Sequence, residues 1–205
     1  MDASLPPHVA VLKRGFDIVV ASVALLLTLP LFPLIALAVK LDSPGPIIFR
    51  QNRIGRQTAE RTEIFAMMKF RSMLQDAEAR SGAVWASKND PRVTAVGRFL
   101  RKTRLDELPQ LINVLKGEMS IVGPRPERPG FYGRLDKAVP FFGDRTAGVR
   151  PGITGLAQVF QGYDATMEDV RRKAAWDHAY ALRCAAPACP AGWRRIAALR
   201  YAPWR

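Results

Sequence analysis

Two adjacent carboxylates, Asp106 and Glu107, lie between two cation-rich stretches of the chain. Four of the seven residues from 98 to 104 are Arg or Lys, and residues 120–128 add two arginines on a segment that prolines stiffen. Fixed cations beside carboxylates at a helix N-terminus suit a site that holds phosphate groups together with a metal ion. The alternative is structural, since paired acids at the start of a helix also satisfy free amides and offset the helix dipole.

The helix that would position this pair is predicted over residues 107–116. Its apolar positions recur at i, i+3, i+4 and i+7, which is the spacing of one helix face: Leu108, Leu111, Ile112 and Leu115. Because proline is tolerated only in the first helical turn, Pro109 places the helix start close to the acids. We therefore expect Asp106 at or near the N-cap, Glu107 at the first helical position and Gly117 just after the end.

The other predicted elements are short. Residues 47–49 and 63–68 are rich in apolar and aromatic side chains and predict two strands of a hairpin, with residues 52–57 in the loop between them. Helices are predicted at residues 73–80, 96–102 and 166–183, and a loop at residues 81–91. Frequent Gly and Pro between residues 123 and 155 favour packed loops there.

Composition points to an anionic partner. The chain has 205 residues, which suits one compact domain with an appendage, and 31 Lys and Arg against 18 acids give a net charge of +13. Nucleic acid, a phospholipid surface and a phosphorylated substrate all fit that charge, but no DNA- or RNA-binding motif is present, so nucleic acid is not expected. The spacing of Cys184 and Cys189 fits neither a redox pair nor a zinc site.

An uncharged run over residues 18–39 is long enough to cross a hydrocarbon layer of ~30 Å. Pro30 and Pro33 interrupt it, so a break or kink is expected there. Basic residues flank both ends, and the positive-inside tendency would place both ends on the cytoplasmic side. A re-entrant helix satisfies both observations; a kinked span and a buried core helix remain as alternatives.

Taken together, these motifs resemble the monotopic phosphoglycosyl transferases, bacterial sugar transferases that move a phospho-sugar from a nucleotide diphosphate-sugar to polyprenol phosphate. The resemblance covers residues 13–163. The matching strings, in chain order, are KRGFD at 13–17, SPGPIIFRQNRIGR at 43–56, MKFRSM at 68–73, DPRVTAVGRFLRKTRLDELPQLINVLKGEMSIVGPRPE at 90–127 and RPGITGLAQV at 150–159.

The resemblance implies a role for each matching residue. Asp106 corresponds to the nucleophile that forms an aspartyl phospho-sugar and releases UMP, and it would also help to hold Mg²⁺. Glu107 corresponds to its partner, which would deprotonate or position the incoming polyprenol phosphate. The expected phosphate- and nucleotide-binding residues are Lys69, Arg101, Pro124, Arg125, Pro126, Arg145 and Arg150. From the residues alone, a solvated strand face remains the alternative for Lys69, and contact with lipid headgroups remains one for Arg101.

The resemblance also implies an architecture. We expect an α/β fold, mostly helical, with an N-terminal re-entrant membrane helix (1–41), a catalytic domain with a short β-hairpin and amphipathic interfacial helices (42–183), and an atypical basic tail containing Pro and Trp (184–205). The expected location is the bacterial inner membrane, with the catalytic domain on its cytoplasmic face. The expected partners are a UDP-sugar, polyprenol (undecaprenyl) phosphate and membrane lipids, and a homodimer is left open.

Two departures from the family pattern accompany these expectations. Leu29-Pro30 stands where the family often has Ser-Pro, with Thr28 or Pro33 as candidates to compensate, and the tail lacks the usual Tyr-rich and aliphatic ending. A non-catalytic basic adaptor that binds anionic lipid or nucleotide is the alternative function.

Overall fold

Helices dominate the computed structural model, which describes residues 5–58, 60–75, 77, 90–161 and 166–185. The helices are α1 (Pro7–Thr28), α2 (Leu31–Asp42), α3 (Ala95–Thr103), α4 (Gln110–Lys116), α5 (Pro129–Ala138), α6 (Leu156–Phe160) and α7 (Met167–Ala185). The strands are β1 (Ile48–Gln57), β2 (Thr62–Phe70), β3 (Ser120–Val122) and β4 (Gly152–Thr154). Strands β1 and β2 pair antiparallel, and β3 pairs parallel with β4. The prediction of a mostly helical chain with a hairpin is confirmed.

The hairpin is longer than predicted. Its register runs from Ile48 opposite Phe70 to Ile54 opposite Ile64, with an irregularity before Gln57. The prediction of a loop at residues 52–57 was wrong, since these residues belong to β1. Their polar side chains are accommodated in the strand because they have partners: Arg56, for example, forms an ion pair with Glu63 across the hairpin at 3.1 Å. The strands connect beyond Gln57 instead, where the Thr58 amide donates to the Arg61 carbonyl.

Helices α1 and α2 are bent by 64° relative to each other. The break falls at Leu29 and Pro30, as predicted from the prolines: Pro30 has no amide hydrogen to donate, and Pro33 is accommodated within the first turn of α2. Directly before the break, the Thr28 hydroxyl donates to the Ala24 carbonyl at 2.7 Å, a contact that often accompanies helix bending. Within the described residues no single helix meets the length and hydropathy of a membrane span, whereas the bent pair meets them together.

The bent pair exposes a wide apolar surface. Leu12, Leu27 and Leu41, for instance, are each more than 70 % exposed. Large apolar side chains this exposed, and this numerous on one helix pair, mark a surface that contacts another apolar phase or partner. The opposite side packs on the rest of the chain through Ala21, Ile35 and Val39.

Polar residues at the start of α1 fasten this helix to the rest of the protein. Arg14 donates to the carbonyls of Val114 and Leu115 at 2.6 and 2.7 Å, and so satisfies the C-terminal end of α4. Asp17 is fully buried and accepts from the Ser120 hydroxyl and the Ile121 amide, both at 2.9 Å. The KRGFD string therefore links α1 to α4 and β3.

Two further sequence expectations need correction. The helix predicted at residues 73–80 is absent where the structure describes them, because Met73 instead forms a β-bridge with Val93. Residues 123–155 contain α5 and β4 rather than loops alone; Pro129 at the first turn of α5 starts a helix instead of breaking one. Helices α3 and α7 confirm the predictions at 96–102 and 166–183. The predicted loop at 81–91, except for residues 90 and 91, and residues 186–205 of the tail lie outside the described residues.

The contact between α3 and the segment after β2 depends on a missing side chain. A Cβ at Gly97 would lie 2.1 Å from the Ser72 carbonyl oxygen, which is closer than any non-bonded contact permits. We therefore expect Gly97→Ala to lower the free energy of unfolding by ~1–3 kcal/mol, because α3 must move away from this backbone. The matched control is Gly133→Ala in α5, whose added Cβ meets nothing within 4 Å. Thermal denaturation should show a loss for Gly97→Ala and no loss for the control; equal stability of both would contradict the tight contact.

Candidate active site

Asp106 and Glu107 lie in a short 3-10 turn, Leu105–Glu107, that precedes α4. The expectation of Asp106 at the N-cap was wrong: Pro109 occupies the N-cap position of α4, and no side chain caps that helix. A separate 3-10 turn therefore holds the two acids, and α4 begins only at Gln110. Arg104 enters this turn with a left-handed backbone (φ 61°), and Gly117 ends α4 in the same conformation (φ 83°), as predicted.

One oxygen of Glu107 accepts two cationic hydrogen bonds. The Lys69 ammonium and the Arg125 guanidinium donate to Oε1 from 3.0 and 2.9 Å. Lys69 comes from β2, and Arg125 from the segment between β3 and α5. Three residues that the sequence selected from distant positions are thus brought together, and the solvated-strand alternative for Lys69 does not fit this contact.

This contact changes the charge behaviour of both partners. Burial alone would raise the pKa of Glu107, but the charges and hydrogen bonds of Lys69 and Arg125 lower it to about 2. Burial lowers the pKa of Lys69, and the nearby Arg125 charge lowers it further; attraction to Glu107 and Asp106 opposes both, and the resulting pKa is about 8. At neutral pH, Glu107 is therefore an anion held between two cations, and Lys69 is a cation close to its titration point.

Asp106 differs from its neighbour in how its carboxylate is stabilised. The residue is buried, and its Oδ1 has no hydrogen-bond partner among the described residues. Burial raises the pKa of this carboxyl; the charge of Lys69 opposes that rise, the charge of Glu107 adds to it, and those of Arg101 and Arg104 oppose it. A carboxylate that is weakly stabilised by its surroundings is the more reactive as a nucleophile.

The remaining predicted cations have distinct positions. Arg101, in the last turn of α3, is partly buried, and its charge opposes the rise that burial causes in the pKa of Asp106. Arg145 is 1 % exposed and forms an ion pair with Asp177 at 2.7 Å, so its guanidinium offers no free face to a ligand. Arg150 is half-buried, and the charges that act on it are those of Arg14, Arg56, Asp17 and Glu63, with burial lowering its pKa. None of these three arginines makes the contact with Glu107 that Lys69 and Arg125 make.

The segment that carries Arg125 is held by its backbone. Four consecutive carbonyls, from Pro124 to Glu127, each accept a hydrogen bond: from the Gly152 amide, Arg145, Arg53 and the Ile54 amide. The hydrogen bond from the Gly152 amide to the Pro124 carbonyl requires Gly152 and Gly123 to pack closely. A Cβ at Gly152 would lie 2.1 Å from the Gly123 nitrogen. Pro124 and Pro126 are buried on either side of the partly exposed Arg125. The loop is therefore fixed before any ligand arrives.

Two buried polar residues of α4, the helix that follows Asp106 and Glu107, were missed by sequence reasoning. Asn113 is fully buried and binds the outer edge of β2, where its side-chain amide donates to the Ala66 carbonyl and accepts from the Met68 amide. It thus fixes the backbone next to Lys69. Gln110 is also buried, and its Nε2 has no hydrogen-bond partner among the described residues. The only signal in the sequence was a polar residue inside an otherwise apolar helix.

A magnesium ion fits Asp106 in one respect. No cluster of three or more His, Cys, Asp or Glu residues occurs within the described part of the chain. Mg²⁺ in phosphate-handling sites is commonly held by one or two carboxylates together with substrate phosphates and water, so a full protein cage is not required. The buried Oδ1 of Asp106, for which the described residues provide no hydrogen-bond partner, is a suitable single protein ligand.

The site thus combines a carboxylate pair, two cations that contact one of the two acids, and an arginine between two prolines, and cations and carboxylates of this kind are suited to binding phosphate groups. A family model for bacterial sugar transferases matches residues 8–186. The chain belongs to this family.

Several curated relatives carry names that describe a common reaction. A UDP-N-acetylgalactosamine-undecaprenyl-phosphate N-acetylgalactosaminephosphotransferase of Aeromonas hydrophila is 48 % identical over 174 residues, which is 85 % of this chain and 40 % of the relative. A UDP-glucose:undecaprenyl-phosphate glucose-1-phosphate transferase of Escherichia coli is 47 % identical over 82 % of this chain and 36 % of the relative. An exopolysaccharide production protein of Rhizobium leguminosarum is 48 % identical and is covered over 74 % of its length. The chain thus spans well under half of the first two.

Proposed function

We propose that this protein is a membrane-associated phosphotransferase that moves a sugar 1-phosphate from a UDP-sugar to undecaprenyl phosphate. The observation that carries this proposal is the shared contact of Lys69 and Arg125 on Glu107, next to Asp106, whose Oδ1 has no hydrogen-bond partner in the described part of the chain. Relatives named for this reaction support it. Their names include both glucose and N-acetylgalactosamine, so the sugar is left open.

In the first step, a carboxylate oxygen of Asp106 attacks the β-phosphorus of the UDP-sugar. The bond between this phosphorus and the bridging oxygen breaks, and UMP leaves with the electron pair. Asp106 then carries the phospho-sugar as an acyl phosphate. Lys69, Arg101 and Arg125 stabilise the charge on the phosphoryl oxygens, which is the main requirement of phosphoryl transfer. When bound at Asp106, Mg²⁺ would neutralise further diphosphate charge.

In the second step, a phosphate oxygen of undecaprenyl phosphate attacks the same phosphorus. The bond to Asp106 breaks, the carboxylate is regenerated, and the lipid diphosphate sugar leaves. Glu107 has a pKa of about 2, so it is too weak a base to remove a proton from the lipid phosphate near neutral pH. We therefore assign it the positioning role: it holds Lys69 and Arg125 at the phosphate site.

The bent helix pair supplies the membrane contact in this proposal. Its exposed apolar face would enter one leaflet and return, which keeps Arg14 and the catalytic residues on the cytoplasmic side. A re-entrant pair places the site at the membrane surface, where the acceptor lipid can present its phosphate while its chain stays in the bilayer.

The direct test is UMP release by protein in nanodiscs, with Mg²⁺, undecaprenyl phosphate and a panel of UDP-sugars. Release that depends on both the lipid acceptor and one UDP-sugar would support the proposal and identify the sugar. Binding of anionic vesicles or UMP without any release would instead favour the basic adaptor. Without lipid acceptor the first step alone releases at most one UMP per protein, so repeated turnover by folded protein without acceptor would contradict the transfer step.

The titration of Lys69 predicts an alkaline limit to activity. Because its pKa in the folded protein is about 8, the ammonium is present below that pH and is lost as the pH rises through it. The rate of UMP release should therefore fall about tenfold per pH unit above pH 8. The guanidinium of Lys69→Arg stays charged, so this variant should retain part of the activity and should not lose it as the pH rises above 8. If the rate of UMP release by Lys69→Arg fell above the same pH, the titrating group would not be Lys69.

A further inference from the structure

Helix α7 contacts the arginine-bearing segment through one face. Lys173, Asp177 and Tyr180 follow the i, i+4, i+7 spacing, which places them in one row along the helix. Lys173 approaches the Glu127 carboxylate at 3.7 Å, and the Tyr180 hydroxyl donates to the Val122 carbonyl at 2.7 Å. The row therefore reaches the segment on both sides of Arg125.

The central residue of the row acts through a second arginine. Asp177 accepts from Arg145 Nη1 at 2.7 Å, while Arg145 Nη2 donates to the main-chain carbonyl of Arg125 at 3.0 Å. The planar guanidinium can bind both acceptors at once, which a lysine ammonium on a flexible stem does less precisely. The Phe142 ring lies against the same guanidinium, with its centroid 4.5 Å from the guanidinium carbon.

Stability alone gives little reason for this arrangement. Both side chains of the Arg145–Asp177 pair are 1 % exposed. Taking two charges out of water is costly, and buried pairs are often no more stabilising than apolar residues of the same volume. A buried pair does, however, fix geometry, because breaking it leaves an unpaired charge. Here the pair fixes the position of the Arg125 backbone, and the Arg125 side chain donates to Glu107.

We propose that Arg145 and Asp177 are positioning residues that set the place of Arg125 at the phosphate site, with α7 as the rigid support. Arg145 thus has a different role from the nucleotide contact that the sequence suggested. This inference rests on the proposed function for its kinetic readout, but its geometric part, the contact of Arg145 with the Arg125 carbonyl, does not.

The kinetic test is a double-mutant cycle on UMP release in nanodiscs. One arm is the combined variant Arg145→Met and Asp177→Leu, which removes both charges without leaving either unpaired. The other arm is Arg125→Met. We expect the combined variant to keep its fold and to lose about 10- to 100-fold in kcat/KM, the effect of a small misplacement of a catalytic group. In the Arg125→Met background the same substitutions should change kcat/KM by less than about threefold, because the pair acts through Arg125.

Full additivity of the two arms would overturn the positioning role, as would an unchanged kcat/KM in the combined variant. The matched control on the same helix is Glu168→Leu with Arg172→Met, an exposed ion pair at 4.0 Å, which should alter neither kcat/KM nor the cycle. If the combined variant does not fold, Arg145→Lys replaces it, since it keeps the charge beside Asp177 but not the double contact. Unchanged kcat/KM in folded Arg145→Lys would also overturn the proposal.

A substrate-free measurement separates this inference from the proposed function. The guanidinium NMR resonances of Arg125, assigned by their loss in Arg125→Met, should shift or broaden in the combined variant and stay in place in the control. Unchanged resonances would overturn the positioning role. Failure of the parent protein to release UMP would defeat the proposed function, while this measurement would still decide whether the buried pair places Arg125.

Discussion

Asp106→Asn should reduce UMP release by at least ~1,000-fold, because an amide cannot serve as the nucleophile that accepts the phospho-sugar. The same substitution should leave the fold intact. Burial raises the pKa of Asp106, which means that the folded protein disfavours the charge that asparagine removes. Loss of activity with unchanged or higher thermal stability is therefore the expected combination, measured by UMP release and by thermal denaturation in parallel.

Intact-protein mass spectrometry distinguishes a nucleophile from a binding residue. Parent protein mixed with UDP-sugar and no lipid acceptor, then quenched, should gain the mass of one phospho-sugar, and the asparagine variant should gain none. The control Glu60→Gln changes an exposed acid and should behave as the parent does. A phospho-sugar adduct on Asp106→Asn, or full turnover by it, would remove Asp106 from the nucleophile role.

The sequence was sufficient to select most residues of the candidate site, because they lie in short strings. Asp106, Glu107, Lys69 and Arg125 were all selected before the fold was known, and three of them share one contact in the structure. Residue type and order were enough here, since a phosphate site needs cations and carboxylates close together.

The geometry around these residues was not predictable in the same way. The 3-10 turn at Leu105–Glu107 replaces the expected helix start, because a proline that is tolerated throughout the first turn does not fix the first helical residue. The roles of Asn113 and Asp177 depend on contacts with residues far away in the chain, at Met68 and Arg145. A periodicity within one helix carries no information about which distant backbone its polar residues bind.

The arginines show the same limit. Arg125, Arg145 and Arg150 look alike in the sequence, as isolated cations in loops. In the structure, Arg125 donates to Glu107, Arg145 is enclosed beside Asp177, and Arg150 lies among the charges of Arg14 and Arg56. The family resemblance suggested a phosphate contact for Arg125 and nucleotide contacts for Arg145 and Arg150, because charge type alone does not reveal burial. Their environments differ because of tertiary packing, which the sequence does not show.

Glu107→Gln should reduce turnover by at least ~100-fold even though Glu107 performs no proton transfer in the proposed mechanism. Glutamine keeps an acceptor oxygen but loses the charge that holds Lys69 and Arg125 on one atom. Two neighbouring cations would then repel each other without a shared anion. Turnover should be lost mainly in kcat, because the cations must be correctly placed when charge develops on the transferred phosphoryl group.

A shift in the pH profile gives this prediction a second, independent readout. Attraction to Glu107 raises the pKa of Lys69, so removing that charge must lower it from about 8. The residual activity of Glu107→Gln should therefore decline at a lower pH than that of the parent. Glu63→Gln, which neutralises the partner of Arg56 in the same hairpin, should leave both turnover and this limb unchanged. An alkaline limb in Glu107→Gln at the parent's pH would mean that Lys69 does not titrate in contact with Glu107, and full turnover would show that the cations need no shared carboxylate.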